Sequence, residues 1–132
     1  MIPFDDTQQR RCVVPPSVRQ QAMHAWYDSA VGRRVWQCEQ QLLSHHLPEL
    51  FGYHLLTLGV DSTLPLAESS PIHHRIALSH SPGEAVKACA RFHALPLESE
   101  CVDVAVLHHA LDYSEHPHQL LREAARVLIP FG

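Results

Sequence analysis

The chain has 132 residues, and its 45% hydrophobic content is enough for one packed core. Its formal net charge of −4 at pH 7 gives no electrostatic reason to expect a nucleic-acid partner. No apolar run approaches membrane-spanning length, and the N-terminus lacks the apolar core of a signal peptide. The four cysteines form no C-x-x-C pair, which is typical of free thiols in a reducing compartment. We therefore expect a cytoplasmic protein without a membrane segment.

The first 50 residues predict an irregular arm followed by two covering helices. The spacing of apolar residues predicts helices over 18–28 and 30–46. The predicted inward face of the first helix comprises Val18, Ala22, Ala25, Trp26 and Ser29. The second helix has two apolar rows, one of Val35, Cys38 and Leu42 and one of Trp36, Leu43 and Leu47.

Two interpretations of the tryptophans follow from these rows. Wide apolar stripes most often pack on a sheet, and we prefer this interpretation for both Trp26 and Trp36. The alternative is that the first helix covers a substrate pocket, with Trp26 and Tyr27 as an aromatic wall.

The remainder of the chain alternates short apolar runs with turns and ends in an amphipathic helix. Four parallel strands are predicted, over 54–59, 73–79, 88–92 and 101–107. A helix over 117–128 begins with Pro117 in its first turn and is stopped by Pro130 and Gly132. Pro65 and Pro71 leave little room for a helix between the first two strands. This order of elements predicts an α/β fold.

The last of these segments, LPLESECVDVAVLHHALDYSEHPHQLLREAARVLIPFG, has a distinctive pattern. It combines an L-P lead-in, a polar turn, a Val-rich strand with an early Asp, H-x-L, and a helix containing L-x-E-x-x-R-V-L. It resembles the corresponding segment of class I S-adenosylmethionine-dependent methyltransferases of the type 11 group. The matching residues are Leu95, Pro96, Val102, Asp103, His109, Leu111, Pro117, Leu121, Glu123, Arg126, Val127, Leu128, Pro130 and Gly132. The departures are Asp112 for Glu, His116 for Asp, and Phe131 for the first Gly of a closing pair.

The resemblance implies a Rossmann-like parallel sheet with strand order 3-2-1-4 and two N-terminal covering helices. Residues 1–50 would form the arm and helices, and residues 51–132 the front half of a methyltransferase-like domain, together one structural unit. In such a truncated sheet the strand at 101–107 is an apolar edge. An edge of this kind invites pairing, so we expect it to be covered by a second copy in a homodimer, by the arm at 1–16 or, in a crystal, by a neighbouring molecule.

The resemblance also implies a function, which is methyl transfer from S-adenosylmethionine to a small-molecule acceptor. It places catalytic residues at His109 and Asp112, and cofactor-binding residues at Gly59, Asp61, Ser79, Phe92, His93 and His108. An unperturbed histidine titrates near neutrality, so His109 is suited to act as a general base. The alternative for His109 is local packing with a hydrogen bond to the backbone.

Three cofactor-facing positions depart from the family pattern. Thr57 stands where the family usually has a carboxylate that holds the amino group of the cofactor. Ser79 stands where the family has an acid that binds the cofactor's ribose, and Arg91 where it often has an acceptor for the adenine. Of the glycine-rich turn only Gly59 is present. An arginine cannot accept a hydrogen bond, and a serine accepts less strongly than a carboxylate. We therefore expect weak or absent cofactor binding. The alternative hypothesis is a non-catalytic, truncated or degenerate module that acts as a structural or interaction partner.

Twelve histidines raise the question of a metal site. Three adjacent pairs, at 45–46, 73–74 and 108–109, have side chains that diverge on a regular helix or strand. No H-E-x-x-H motif or quartet of cysteine and histidine ligands is present. The sequence thus predicts no dedicated metal site.

Overall fold

The computed structural model describes residues 16–61, 63–79, 88–89 and 91–132. Helices α1 and α2 come first and are followed by a short 3-10 turn. Within the described residues four strands come next, and helix α3 is the last element. The bounds are α1 Pro16–Asp28, α2 Ala30–His46, the 3-10 turn Leu47–Glu49, β1 His54–Gly59, β2 His74–Ser79, β3 Ala88–Cys89, β4 Val104–His108 and α3 Pro117–Val127. The predicted arm before residue 16 lies outside the described residues. In the described residues no helix is long and apolar enough to cross a membrane.

The strands form one parallel sheet in the order β3-β2-β1-β4, which confirms the predicted fold and strand order. β1 is central, because Leu55 pairs with Arg75 of β2 on one side and Val104 of β4 on the other. Its leucines are fully buried, as expected for a parallel strand covered on both faces. The residues at 63–73, between β1 and β2, contain no helix, in agreement with the two prolines there.

The apolar side chains of β1 alternate between two cores, one on each face of the sheet. Leu56 and Leu58 pack with Leu78 and with Leu120 and Val127 of α3. On the opposite face Leu55 packs with a smaller group that comprises Leu47, Ala67, Ile72 and Val104. The sheet is therefore held between α3 on one side and the end of α2 with the β1–β2 loop on the other.

β4 begins three residues later than the sequence predicted. The first residues of the apolar run bond to the end of α3, and only the later ones pair with β1. The amides of Cys101 and Val102 both donate, at 2.9 Å, to the carbonyl of Val127, which is the last residue of α3. The next residue, Asp103, accepts hydrogen bonds from the amides of Tyr53 and His54, each at 2.9 Å. Pairing of β4 with β1 starts only after this carboxylate. The third strand is also shorter than predicted, since residues 91–94 form a turn with a bridge from Arg91 to Ala94.

The predicted inward face of α1 is wrong. Val18 and Trp26 are 49% and 43% exposed, whereas Tyr27 is buried. α1 contacts the loop after β4 through polar groups, since Arg19 Nη1 donates to the carbonyl of Tyr113 at 2.8 Å. An apolar stripe is not required for that contact, so the apolar side chains of α1 remain outside.

In α2 the two predicted rows differ in burial. Leu42, from the first row, is 61% exposed, whereas Leu47, from the second row, is buried. Gly32 lies at the joint between the helices, where a Cβ atom would fall 1.9 Å from the carbonyl oxygen of Trp26. The glycine therefore permits the close approach of α1 and α2.

The most specific part of the family-like segment has a structural role. Glu123 of α3 accepts from the amide of Leu95 at 2.8 Å and pairs with Arg126 at 2.9 Å. Arg126 in turn donates to the carbonyl of Leu95 at 3.2 Å. The L-x-E-x-x-R pattern thus clamps the lead-in of β4 onto α3.

Removing the Asp103 carboxylate should destabilise the fold in a pH-dependent way. Donation from the amides of His54 and Tyr53 holds the pKa of Asp103 below its usual value. We expect Asp103→Ala to lower the free energy of unfolding by about 1 kcal/mol at neutral pH, a modest figure because the side chain is partly exposed. A depressed carboxyl pKa stabilises the fold above the unfolded-state pKa, and this contribution is lost as pH falls through the folded-state value. Urea unfolding at several pH values measures the difference.

The exposed carboxylate variant Glu115→Ala is the matched control. A difference between the wild type and Asp103→Ala that stays constant down to strongly acidic pH would contradict this account.

Candidate functional site

The carboxyl ends of β1, β2 and β4 meet at one edge of the sheet. Gly59 pairs with His108 across β1 and β4, and Ser79 ends β2 one residue beyond the pair of Leu78 with Leu58. Open α/β sheets bind ligands at this edge. The structure therefore brings together three of the predicted cofactor-binding residues, Gly59, Ser79 and His108.

Beside β4 this edge carries four interacting side chains, which we call the Glu39 cluster: Tyr27 of α1, Glu39 of α2, His108 of β4 and His109. Oε2 of Glu39 lies 2.7 Å from Nε2 of His108, and Oε1 lies 3.0 Å from Nε2 of His109. The Tyr27 hydroxyl donates to Glu39 at 3.1 Å and lies 3.2 Å from Nε2 of His108. One carboxylate thus connects both N-terminal helices to the end of β4.

The two histidines converge because the backbone changes direction between them. β4 ends at His108, and His109 adopts the left-handed conformation with φ of +54°. Their ring centroids lie 4.6 Å apart. The prediction that this adjacent pair diverges is therefore wrong, since it assumed a regular strand through both residues.

The two predicted catalytic residues are in direct contact. Nδ1 of His109 lies 2.9 Å from Oδ2 of Asp112, so the ring has a carboxylate on each nitrogen. The side-chain partners of His109 are therefore carboxylates, rather than the backbone group of the alternative interpretation.

Aromatic rings pack around the cluster. The Tyr27 ring lies 5.8 Å from His108, and Trp36 makes edge contacts with both, at 6.0 and 5.8 Å. Tyr27 therefore lies beside the end of β4, whereas Trp26 remains largely exposed. The pocket-wall interpretation of α1 stays a prediction.

The electrostatics of the cluster favour one ionised carboxylate among neutral and cationic partners. Burial alone would raise the pKa of Glu39, but hydrogen bonds from His108 and His109 outweigh it and hold the pKa below its usual value. Burial, together with the Glu39 charge, raises the pKa of the Tyr27 phenol, which stays neutral. Burial would lower the pKa of His109, but Asp112 and Glu39 raise it above its ordinary value.

The other predicted cofactor residues have different surroundings. Asp61 is 1% exposed, and its carboxylate accepts from the amide and hydroxyl of Thr63 at 2.9 and 2.6 Å. Phe92 is a core residue that packs with Leu58 and Leu78. His93 contacts His116, with ring centroids 5.0 Å apart.

The described residues fit S-adenosylmethionine only in part. Gly59 lies at the end of β1, where a Cβ atom would have ordinary contacts at 3.4 Å or more. The adjoining cleft, lined by Thr57, Gly59, Asp61 and Arg75, holds about 180 Å³, whereas small-molecule pockets typically hold about 300–1,000 Å³. The sheet edge is thus present, whereas Ser79 and Arg91 stand where the family resemblance implies acidic groups for ribose and adenine.

Glu39 is the residue that sequence reasoning missed. It lies three positions after Trp36 and four before Leu43, so it falls on the apolar row of α2 that packs inward. A carboxylate within an apolar helical row is the signal that could have identified it, because such a charge requires a partner.

Comparison with known proteins places this geometry in context. A family model described as a methyltransferase domain matches residues 53–132, a range that includes both histidines of the cluster and omits Tyr27 and Glu39. The Escherichia coli (strain K12) protein called "Uncharacterized protein YafS" is 33% identical over 111 residues, which cover 84% of this chain and 46% of that protein.

A solved structure shares the fold. It is a chain from the complex between the Haloferax volcanii Trm112 methyltransferase activator and a protein assigned as a methyltransferase. The match has a TM-score of 0.61 at 21% identity and covers 86% of this chain and 57% of that chain. The present chain thus spans about half the length of the relatives it matches.

Neutralising either carboxylate beside His109 should lower the pKa of its imidazole. We expect the pKa to fall in both Glu39→Gln and Asp112→Asn, because each variant removes an anion that stabilises the imidazolium. NMR titration of the ring protons, in buffer containing a chelator, measures the change. The exposed ring of His45, at the end of α2, serves as the internal control, and its signals should be the same in all three proteins. An unchanged His109 pKa in Glu39→Gln would show that the two side chains do not meet in solution.

Proposed function

This chain belongs to the methyltransferase domain family, and we propose that it transfers a methyl group from S-adenosylmethionine to a small-molecule acceptor. The observation that carries the proposal is the position of the Glu39 cluster. It lies at the carboxyl edge of the sheet, directly beside Gly59, where the family resemblance places the reactive end of the cofactor. A pair of titratable residues, His109 and Asp112, extends from the same edge.

When bound, S-adenosylmethionine supplies an electrophilic methyl group on a sulfonium centre. In our proposal the backbone at Gly59 supports its methionine part, and Tyr27 and Trp36 form an aromatic wall that excludes water. Asp112 orients the His109 ring through Nδ1. Once the His109 imidazolium has lost its proton, its Nε2 takes the proton of an acceptor hydroxyl or amine that replaces the contact with Glu39. For an acceptor that is already a good nucleophile, alignment at this edge supplies most of the rate enhancement.

A non-catalytic module is the second candidate, and specific observations favour it. The Asp61 carboxylate is buried and engaged by Thr63 and His24 within the protein. Ser79 is 2% exposed and neutral, and Arg91 cannot accept a hydrogen bond. In this role the sheet edge would serve structure or a protein partner, without turnover.

We also propose a protein partner along β4, which is the last strand at one side of the sheet. Among the described residues β4 pairs with β1 along one side only. The fold neighbour from Haloferax volcanii was solved bound to an activator protein. For this chain we propose a second copy that pairs along β4, since an unpaired edge strand is a template for another strand.

Cofactor affinity distinguishes the two functional candidates. In titration calorimetry we expect a dissociation constant near the millimolar range for the wild type, because each missing charge-assisted hydrogen bond costs about 1.5–3 kcal/mol. Arg91→Asp should tighten binding about tenfold, equivalent to about 1.4 kcal/mol, by restoring an acceptor. Gly59→Val should abolish binding, because its branched side chain would project at the cofactor edge.

Arg122→Asp is the matched control, since it makes the same charge change on an exposed position of α3. Equal tightening in Arg91→Asp and Arg122→Asp would reveal a general charge effect and contradict the assigned site. If neither the wild type nor Arg91→Asp binds S-adenosylmethionine, the non-catalytic module is the better description.

The proposed dimer is tested by light scattering together with hydrogen exchange. We expect twice the mass of one chain and slow amide exchange along 104–108. A lysine in place of Val106, within the paired strand, should shift the mass toward one chain, because two copies would bring like charges together. A stable monomer with fast exchange along β4 would exclude pairing at this edge.

A further inference from the structure

The ligand atoms of Glu39, His108 and His109 lie close together. One carboxylate oxygen and two imidazole nitrogens lie within 4.8 Å of one another. From this convergence we infer that these three residues, here called the metal triad, bind a divalent transition-metal ion of the zinc class. Two histidines and one carboxylate are a set of ligands that zinc accepts in sites with an open fourth position.

The distances within the metal triad suit such an ion. Zinc bonds to nitrogen or oxygen of about 2.0–2.1 Å place two tetrahedral ligands about 3.3 Å apart. In the structure the carboxylate oxygens lie 2.7 Å from Nε2 of His108 and 3.0 Å from Nε2 of His109. Small outward shifts of these side chains would admit a metal in place of the hydrogen bonds. The presence of two imidazoles argues against calcium and magnesium, which prefer oxygen ligands.

The backbone at His109 is what makes the triad possible. Adjacent residues of a regular strand point to opposite faces, so His108 and His109 could not share one ion there. The left-handed conformation of His109, at φ of +54°, brings the two rings together. A non-glycine residue in this region is strained, and such strain concentrates at functional sites.

One histidine of the triad has an outer partner of the kind found in metal sites, whereas Nδ1 of His108 is buried without a hydrogen-bond partner among the described residues. Asp112 binds Nδ1 of His109 at 2.9 Å, which leaves Nε2 directed at Glu39 and the proposed ion. Metal-bound histidines usually have such a partner, because it fixes the ring orientation and the tautomer. The Tyr27 hydroxyl, 3.1 Å from Glu39, orients the carboxylate in the same way. The side chains of His108 and His109 are 9% and 33% exposed, so the site is shielded on one side and open on the other.

A bound ion would change how the proposed transfer site handles protons. Nε2 of His109 cannot bind a metal and accept a proton at the same time. With the metal in place, His109 would hold the ion and would no longer be available as the general base. The metal inference itself does not depend on cofactor binding, and its test uses neither S-adenosylmethionine nor an acceptor.

The test is metal binding by the tag-free chain. Zinc titration calorimetry should give one tight equivalent, and cobalt should give the intense visible bands of tetrahedral coordination. We expect Glu39→Gln, His108→Asn and His109→Asn each to weaken zinc binding at least a hundredfold, because each removes one of three protein ligands. Asp112→Asn should weaken it about ten- to a hundredfold through loss of the outer partner.

Matched controls separate this site from adventitious binding by a histidine-rich chain. The double variant with His45→Gln and His46→Gln removes an adjacent pair on the exposed end of α2 and should retain the tight equivalent. Loss of binding in that control, or an unchanged affinity in Glu39→Gln, would overturn the inference. Far-ultraviolet circular dichroism identifies variants that are unfolded. Glu39→Gln and the exposed Asp112→Asn preserve side-chain shape and keep the inference testable if a histidine variant does not fold.

Discussion

The arrangement of the molecule depends on one carboxylate that several elements share. Glu39 of α2 accepts hydrogen bonds from two histidines at the end of β4 and from Tyr27 of α1. A partly buried charge is stable only when its oxygens are satisfied, so Glu39 requires these partners. Because α1 exposes much of its apolar surface, this polar network, together with the contact from Arg19 to Tyr113, fixes α1 against the sheet edge. The position of the helices and the chemistry of the edge therefore have a common cause.

The residues of the most specific sequence pattern are not the residues of the Glu39 cluster. Glu123 and Arg126, central to the family resemblance, hold α3 to the lead-in of β4. They make the fold recognisable, but neither is part of the Glu39 cluster. In contrast, Tyr27 and Glu39 lie before the range that the family model matches. Membership of the family thus establishes the sheet and its carboxyl edge, and the residues added from the N-terminal helices determine what this edge can do.

The carboxyl edge of the sheet has the strand arrangement of a ligand site but lacks several acidic groups that the family resemblance implies. Gly59 and His108 end adjacent strands at the carboxyl edge, where open α/β sheets bind ligands. Asp61, however, binds Thr63 within the protein, and Ser79 and Arg91 offer no carboxylate. The strand ends are therefore in place at this edge, whereas the carboxylates that the family resemblance implies there are absent. Beside it, Glu39, His108 and His109 bring one carboxylate oxygen and two imidazole nitrogens within 4.8 Å of one another.

The sequence alone determined the order of elements, the parallel sheet and most element boundaries. Val-rich runs, helical periodicity and prolines act over short distances, so their effects on the backbone are readable without tertiary structure. The pair of His109 and Asp112 was also accessible, because three positions separate these residues within one loop.

Tertiary structure alone decided the rest. Glu39 and His109 are separated by 70 positions, and their contact depends on how α2 docks at the sheet edge. The left-handed turn at His109 reversed the expected divergence of the histidines, because β4 ends at His108 and does not continue through His109. The inward face of α1 was likewise set by polar docking rather than by apolar periodicity. A carboxylate on a helix has no fixed partner in the sequence, because its partner depends on which distant donor folding brings within hydrogen-bonding distance.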